Sequence, residues 1–99
     1  MYGTIARLRI KPGMEAKLEE LSRTQVPQIP GFAFQYVYRM DSDSQDMYLV
    51  VGFTDREAYR LNAESPEQGE RYAEYSALLE QDPEWHDGEI VWALSQPAD

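Results

Sequence analysis

With 18 acidic and 9 basic side chains in 99 residues, the formal net charge of −9 repels phosphate backbones and anionic bilayers, so neither nucleic acid nor a membrane is expected as a partner. A chain of this length builds one domain, and 42% hydrophobic residues with 12% aromatics is too rich a composition for disorder. The absence of cysteine excludes disulfides, thiolate metal sites and thiol nucleophiles, and it fits a reducing cytoplasm.

The segment Met1 to Arg7 has no basic stretch followed by a long apolar run, so no signal peptide is expected. The longest apolar run, Met47 to Phe53, contains Gly52 and falls far short of the roughly 20 residues that span a bilayer.

The first strand is predicted from Tyr2 to Ile10, with Tyr2, Thr4, Ala6, Leu8 and Ile10 on one face and Gly3, Ile5, Arg7 and Arg9 on the other. Lys11-Pro12-Gly13 breaks it. A helix follows from about Met14 to Gln25, with Met14, Leu18 and Leu21 as its apolar stripe, and Pro27 and Pro30-Gly31 stop it. The second strand runs from about Phe32 to Met40. Its alternation puts Phe32, Phe34, Tyr36, Tyr38 and Met40 opposite Ala33, Gln35, Val37 and Arg39. The polar segment Asp41 to Asp46 reads as a hairpin loop, and Met47 to Phe53, apolar on both faces, as a central strand.

Thr54-x-x-Glu57 has the form of a capping box opening a short helix, about Asp55 to Ala63. Ser65-Pro66 opens a longer one, about Pro66 to Gln81, which Asp82-Pro83 ends. Asp87-Gly88 reads as a turn, Glu89 to Leu94 as the last strand, and Ser95 to Asp99 as a fraying tail.

Two split β-α-β units give a ferredoxin-like α+β fold, β-α-β-β-α-β, as a single domain over residues 1–99. Both helical segments then cover one face of an antiparallel sheet. The other face, carrying Ile5, Val37 and Val50 or Ile90, is left apolar, and the sheet of a second copy is its simplest cover. The expected assembly is therefore a homodimer that closes into a dimeric α+β barrel.

Three segments carry a family resemblance: the Lys11-Pro12-Gly13 turn before an acidic amphipathic helix, the helix entry Phe53-Thr54-Asp55-Arg56-Glu57-Ala58-Tyr59, and the stretch Asp82-Pro83-Glu84-Trp85-His86-Asp87-Gly88-Glu89-Ile90. In these, and over nearly its whole length, the chain resembles the antibiotic biosynthesis monooxygenase-like proteins of the dimeric α+β barrel superfamily. That family includes cofactor-independent monooxygenases of aromatic polyketides, quinol oxygenases, haem degraders and members without known activity. Fold alone does not choose among them. Haem-degrading members carry Asn on the first strand, Trp on the short helix and His on the long one. Here Ala6, about Asn62 and about Tyr72 stand at those places, so the axial ligand is missing.

The resemblance implies a cofactor-independent monooxygenase acting on an electron-rich aromatic or quinol, with no metal and no cofactor. Such an enzyme needs a dry cavity, a group favouring substrate ionisation and donors to an oxyanion. Asn62, Tyr72 and His86 are the candidate catalytic residues, and Tyr36, Tyr75 and Trp85 the candidate substrate contacts. His86 is the only side chain whose unperturbed titration lies near neutrality, but its acidic turn suits an ordinary surface histidine as well, and one histidine among acids is a poor metal site.

Tyr36, Tyr38, Tyr72 and Tyr75 would line an apolar pocket with a few hydroxyls, or else simply form the core. Trp92 is expected in core or barrel packing. Arg7 and Arg9, on a face with Gln35 and Arg39, are expected to pair with acids such as Glu89. The alternatives to an oxygenase are a non-catalytic small-ligand-binding or stress-associated dimer of the same fold, and an isomerase or lyase with one positioned acid–base group.

Overall fold

The computed structural model describes residues 1–96. Four strands, β1 (Tyr2–Arg9), β2 (Phe32–Arg39), β3 (Asp46–Phe53) and β4 (Glu84–Glu89), form one antiparallel sheet in the order β2-β3-β1-β4. Three helices, α1 (Glu15–Gln25), α2 (Arg56–Ala63) and α3 (Pro66–Ser76), complete the expected ferredoxin-like order. A short 3-10 turn, Val26–Gln28, with Pro27 inside it, finishes the first crossover. The expectation of fraying at Pro97, Ala98 and Asp99 lies outside the described residues.

The alternation in β1 decides where the core sits. Thr4, Ala6 and Leu8 point toward the helices and are buried, whereas Ile5 is 49% exposed on the opposite face. Ala6, Leu8 and Ile10 pack with Leu18 of α1, Met47 and Leu49 of β3, and Leu78 and Leu79 beyond α3. A second cluster of Val26, Ile29 and Phe53, with Phe32, Ala58 and Tyr59 against it, closes the other end. Leu18 is 2% exposed, so Leu18→Ala would remove about 2–5 kcal/mol of packing. Gly31, at φ +82°, sits beside Ala58 in this second cluster, where a Cβ would be both strained and blocked by the Ala58 methyl.

Four local expectations need correction. The N-cap of α2 is Asp55 rather than Thr54: its carboxylate accepts from Ala58 N at 2.7 Å, and a carboxylate suits a helix N-terminus. Ser65 caps α3 as expected, accepting from Gln68 N at 3.1 Å. However, α3 ends at Ser76, because the chain beyond it bonds to the end of β1: Lys11 N donates to Leu78 O and Glu80 N to Arg9 O, both within 2.9 Å. The last strand is Glu84–Glu89, so Asp87-Gly88 lies within a strand and not in a turn, with Gly88 opposite Gly3 and Asp87 opposite Thr4. Val91, Trp92 and Leu94 are 72%, 75% and 90% exposed, so Trp92 is not in the core of one chain.

The fourth correction concerns β2. Phe32 faces Phe53, but Phe34 faces Gly52, so Ala33 is an extra residue in the strand and the alternation changes side there. Gln35, Val37 and Arg39 consequently share the helix side with Val51, Leu49 and Met47, while Phe34, Tyr36 and Tyr38 lie on the open side. Val37 therefore leaves the open face and Tyr36 joins it. Two cross-sheet rows now define that face: Tyr36, Val50, Ile5 and His86, and beside them Tyr38, Tyr48, Arg7 and Glu84. Arg7 pairs with Asp46 at 2.9 Å, and Arg9 with Asp43 and Asp46; Glu89 takes part in neither pairing. Arg39, on the helix side, pairs with Glu15 at 2.6 Å.

Candidate functional site

A cavity of about 540 Å³ lies between the helix face of the sheet and α2 and α3, within the size range of small-molecule sites. Its floor is Thr4, Leu49, Val51, Trp85 and Asp87; its walls include Tyr59 and Asn62 from α2 and Gln68, Arg71, Tyr72 and Tyr75 from α3. A second hollow, against α1 and β2, contains the charged groups Glu15, Glu19, Arg23 and Arg39, of which Glu15 pairs with Arg39 and Glu19 with Arg23. Its charges are already spent on one another, and the first cavity is the better candidate.

Helical spacing delivers the polar groups to the cavity. Tyr59 and Asn62 are three residues apart on α2, and Gln68, Arg71, Tyr72 and Tyr75 follow the same rule on α3. Asn62 belongs to a closed ring: Arg71 Nη2 donates to Asn62 Oδ1 at 2.7 Å, Asn62 Nδ2 donates to Gln68 Oε1 at 3.2 Å, and Arg71 Nε donates to the same oxygen at 3.2 Å. A guanidinium has only donors, so it fixes which end of the Asn62 amide is oxygen. The Nδ2 group keeps one N–H beyond the bond to Gln68.

The tyrosines differ from one another. Tyr75 shares a 2.9 Å hydrogen bond with Ser22 of α1, and burial pushes its hydroxyl pKa up, opposed by Ser22 and by the positive charge of Arg71. Tyr72 packs a tilted ring 6.5 Å from Trp85, and burial, then the neighbouring Asp82 carboxylate, raises its pKa. Tyr59 donates to Asp87 Oδ1 at 2.7 Å and packs edge-on against Phe53 at 5.6 Å. Burial, then the bond to Asp87 and its negative charge, holds the Tyr59 proton far above the ordinary tyrosine range. Thr4 pulls weakly the other way without reaching hydrogen-bond geometry, and its Oγ1 is buried with no partner among the described residues.

Of the six residues singled out in the sequence, the structure brings Asn62, Tyr72, Tyr75 and Trp85 together around this cavity. It places the other two elsewhere. His86 is the strand neighbour of both Trp85 and Asp87, but it pairs with Ile5 and so belongs to the open face, with Tyr36 in the same row. The sequence reading missed Thr4, Tyr59, Gln68, Arg71 and Asp87. The i, i+3 relation of Tyr59 to Asn62, and of Gln68 to Arg71, was the available signal. Asp87 was hidden by its Asp-Gly turn signature. Among the described residues no three or more His, Asp or Glu side chains converge as metal ligands.

Solved structures resemble this architecture along almost its full length. The cofactor-independent oxygenase SnoaB from Streptomyces nogalater, in a point-mutant form, superposes with a TM-score of 0.77 at 18% identity, over 96% of this chain and 97% of its own. The chain has the antibiotic biosynthesis monooxygenase fold. Another structure, described as an antibiotic biosynthesis monooxygenase, gives a TM-score of 0.70 at 19% identity, over 92% of this chain and 99% of its own. A protein of unknown function from Nitrosomonas europaea gives 0.69 at 20% identity, over 99% and 95%. No protein-family model matches the sequence, and no curated protein is detectably similar to it. At these identities the likeness is one of fold. Among the described residues no helix is long and apolar enough to cross a membrane.

Proposed function

We propose that the protein is a cofactor-independent monooxygenase that binds an electron-rich hydroxylated aromatic or quinol in the cavity between sheet and helices. The observation that carries this reading is the Asn62 amide, held by Arg71 and Gln68 so that a spare N–H belongs to a largely apolar cavity. A preorganised donor of this kind stabilises negative charge where it develops, with little reorganisation at the moment of reaction. The ionised substrate is the reductant and dioxygen the oxidant. Asn62, with the Tyr72 hydroxyl, would hold the developing oxyanion. Trp85 and Tyr75 would hold the flat ring. The fold likeness to a cofactor-independent oxygenase supports the same reading.

We also propose that a second copy covers the open face of the sheet. Ile5, Tyr36 and Tyr38 are 49%, 60% and 55% exposed on that face, and Val91, Trp92 and Leu94 stand exposed beyond β4. Apolar surface on this scale marks an interface, and a self-complementary pairing is its simplest partner. The cysteine-free composition suits a reducing cytoplasm.

The test is oxygen uptake by chelator-treated, flavin-free protein against a panel of hydroquinones and anthrones. Uptake that rises with pH as the substrate ionises is the expected result. Binding of these aromatics without oxygen consumption would replace the enzyme by a small-ligand binder, and uptake restored only by added metal would end the cofactor-free mechanism.

A further inference from the structure

Tyr59 of α2 and Asp87 of β4 have no part in the proposed reaction, yet each changes what the other can do. Tyr59 lines the cavity and donates a 2.7 Å hydrogen bond to Asp87 Oδ1. A carboxylate at that distance is in place to accept a proton. Burial and the Asp87 charge hold the Tyr59 proton far above the ordinary tyrosine range, because simple ionisation would set two negative charges side by side. Loss of an electron together with the proton creates no such pair: the ring becomes a neutral tyrosyl radical and the carboxylate a neutral acid. The surroundings that block ionisation therefore leave one-electron oxidation open. Tyr75 lacks this arrangement, since its partner Ser22 is a hydroxyl and a far weaker base. Tyr36, 60% exposed on the open face, meets water. The Tyr2 ring stands edge-on to Tyr59 at 5.2 Å, but Arg56 lies 5.4 Å over its face. That positive charge makes an electron costlier to remove from Tyr2, so oxidation stops at Tyr59.

We propose that Tyr59 and Asp87 form a proton-coupled electron donor that quenches peroxyl radicals reaching the cavity. One electron passes from the Tyr59 ring to the peroxyl radical, which becomes a hydroperoxide anion, while the Tyr59 proton crosses to Asp87 Oδ1. The O–H bond of Tyr59 breaks and one forms on Asp87; the tyrosine is oxidised by one electron and the peroxyl radical reduced by one. Asp87 is exposed on its edge strand, so the proton it receives passes on to water and the pair is reset for a reductant. Peroxyl radicals arise whenever an electron-rich organic molecule autoxidises, so the inference stands apart from the oxygenase reading.

The experiment exposes the whole protein to peroxyl radicals from a water-soluble azo initiator, with no aromatic substrate added, and follows tyrosine oxidation by peptide mass spectrometry. Tyr59 should be oxidised ahead of Tyr36, although Tyr36 is the more exposed. Solvent deuterium should slow the oxidation of Tyr59, because its proton moves with the electron. Asp87→Asn keeps an acceptor oxygen for the hydrogen bond but removes the base. It should slow Tyr59 oxidation roughly 10–100-fold, at or below the low end of what a positioned proton acceptor contributes. Asp87→Glu, which retains a carboxylate, should recover part of the rate. Oxidation in the order of exposure, with Tyr36 first, would overturn the proposal. So would a Tyr59 rate indifferent to deuterium, which needs no variant to measure, or one unchanged in an Asp87→Asn protein that circular dichroism shows to be folded. Oxygen uptake with hydroquinones or anthrones is read separately, so the oxygenase reading and this one can each fail alone.

Discussion

Tyr59, on α2, donates a 2.7 Å hydrogen bond to Asp87 on β4, and so ties the second helix to an edge strand of the sheet. Both residues also line the cavity, so one contact serves packing and site together. Replacing Tyr59 by Phe keeps the ring packed against Phe53 and removes only the bond. Urea unfolding near neutral pH should show a loss of about 1 kcal/mol.

The same bond predicts an alkaline limit. Tyr59 has a pKa raised above the ordinary tyrosine value of about 10, so its neutral form is favoured by folding. The stability it supports is complete below about pH 10 and falls as pH rises toward the folded value, because the unfolded tyrosine ionises first. Tyr72 and Tyr75 are shifted the same way and add to the slope. Urea midpoints measured at about pH 9 and about pH 11 should therefore drop for the unaltered protein and drop less for Tyr59→Phe. An equal drop in both would assign the alkaline loss to other groups.

Asn62→Asp is a sharper probe of the oxygenase reading than truncation. The carboxylate would keep the shape and pair with Arg71, and it would replace both the free N–H and the N–H donated to Gln68 by an acceptor, the charge-assisted pair offsetting the lost bond. Thermal stability should hold or rise while oxygen uptake falls. Asn62→Ala and Tyr72→Phe should each cost roughly 10–100-fold in turnover, below the loss from a dedicated oxyanion donor. Stability and turnover falling in step would reduce Asn62 to a packing residue.

The open face predicts an assembly. Light scattering at micromolar concentration should give about 23 kDa, twice the 11.5 kDa of one chain. Ile5→Lys, in the middle of the row from Tyr36 to His86, should shift the particle to 11.5 kDa without unfolding it, as seen by circular dichroism. An 11.5 kDa particle for the unaltered protein would exclude the barrel.

His86 faces away from the cavity, opposite Ile5. His86→Ala should leave oxygen uptake within about twofold, since general base catalysis requires hydrogen-bond reach of the substrate. Haemin titration should likewise yield no stable Soret complex that turns over with a reductant, because no histidine lines the cavity to serve as axial ligand.

Periodicity made β1, α1 and β3 readable from the sequence, because Ala6, Leu8, Leu18 and Leu49 are buried where alternation and helical spacing say they should be. Of the features that escaped it, two show the physical reason plainly. Asp87-Gly88 has the composition of a turn, yet it continues a strand because Thr4 and Gly3 are there to pair with it. The end of α3 was misplaced because Leu78 and Leu79 satisfy helical spacing and are buried, although long-range bonds to β1 have already taken their backbone out of the helix. The cavity was half legible. Aromatic and amide residues on α2 and α3 could be assigned to it by spacing, whereas the ring that orients Asn62 depends on two helices meeting, which no local pattern records.

The extra residue at Ala33 sets the parity of everything after it in β2. Were Ala33 instead paired in register, opposite Gly52, the strand would be regular and its two surfaces would exchange, sending Phe34, Tyr36 and Tyr38 to the helix side and turning Gln35, Val37 and Arg39 outward. The Arg39–Glu15 pair would break and the aromatic patch would vanish from the outer surface. One backbone irregularity thus acts as a reading frame: the aromatic-rich stretch that an unbroken alternation would spend on a monomer's interior is assigned instead to the surface where another molecule can meet it.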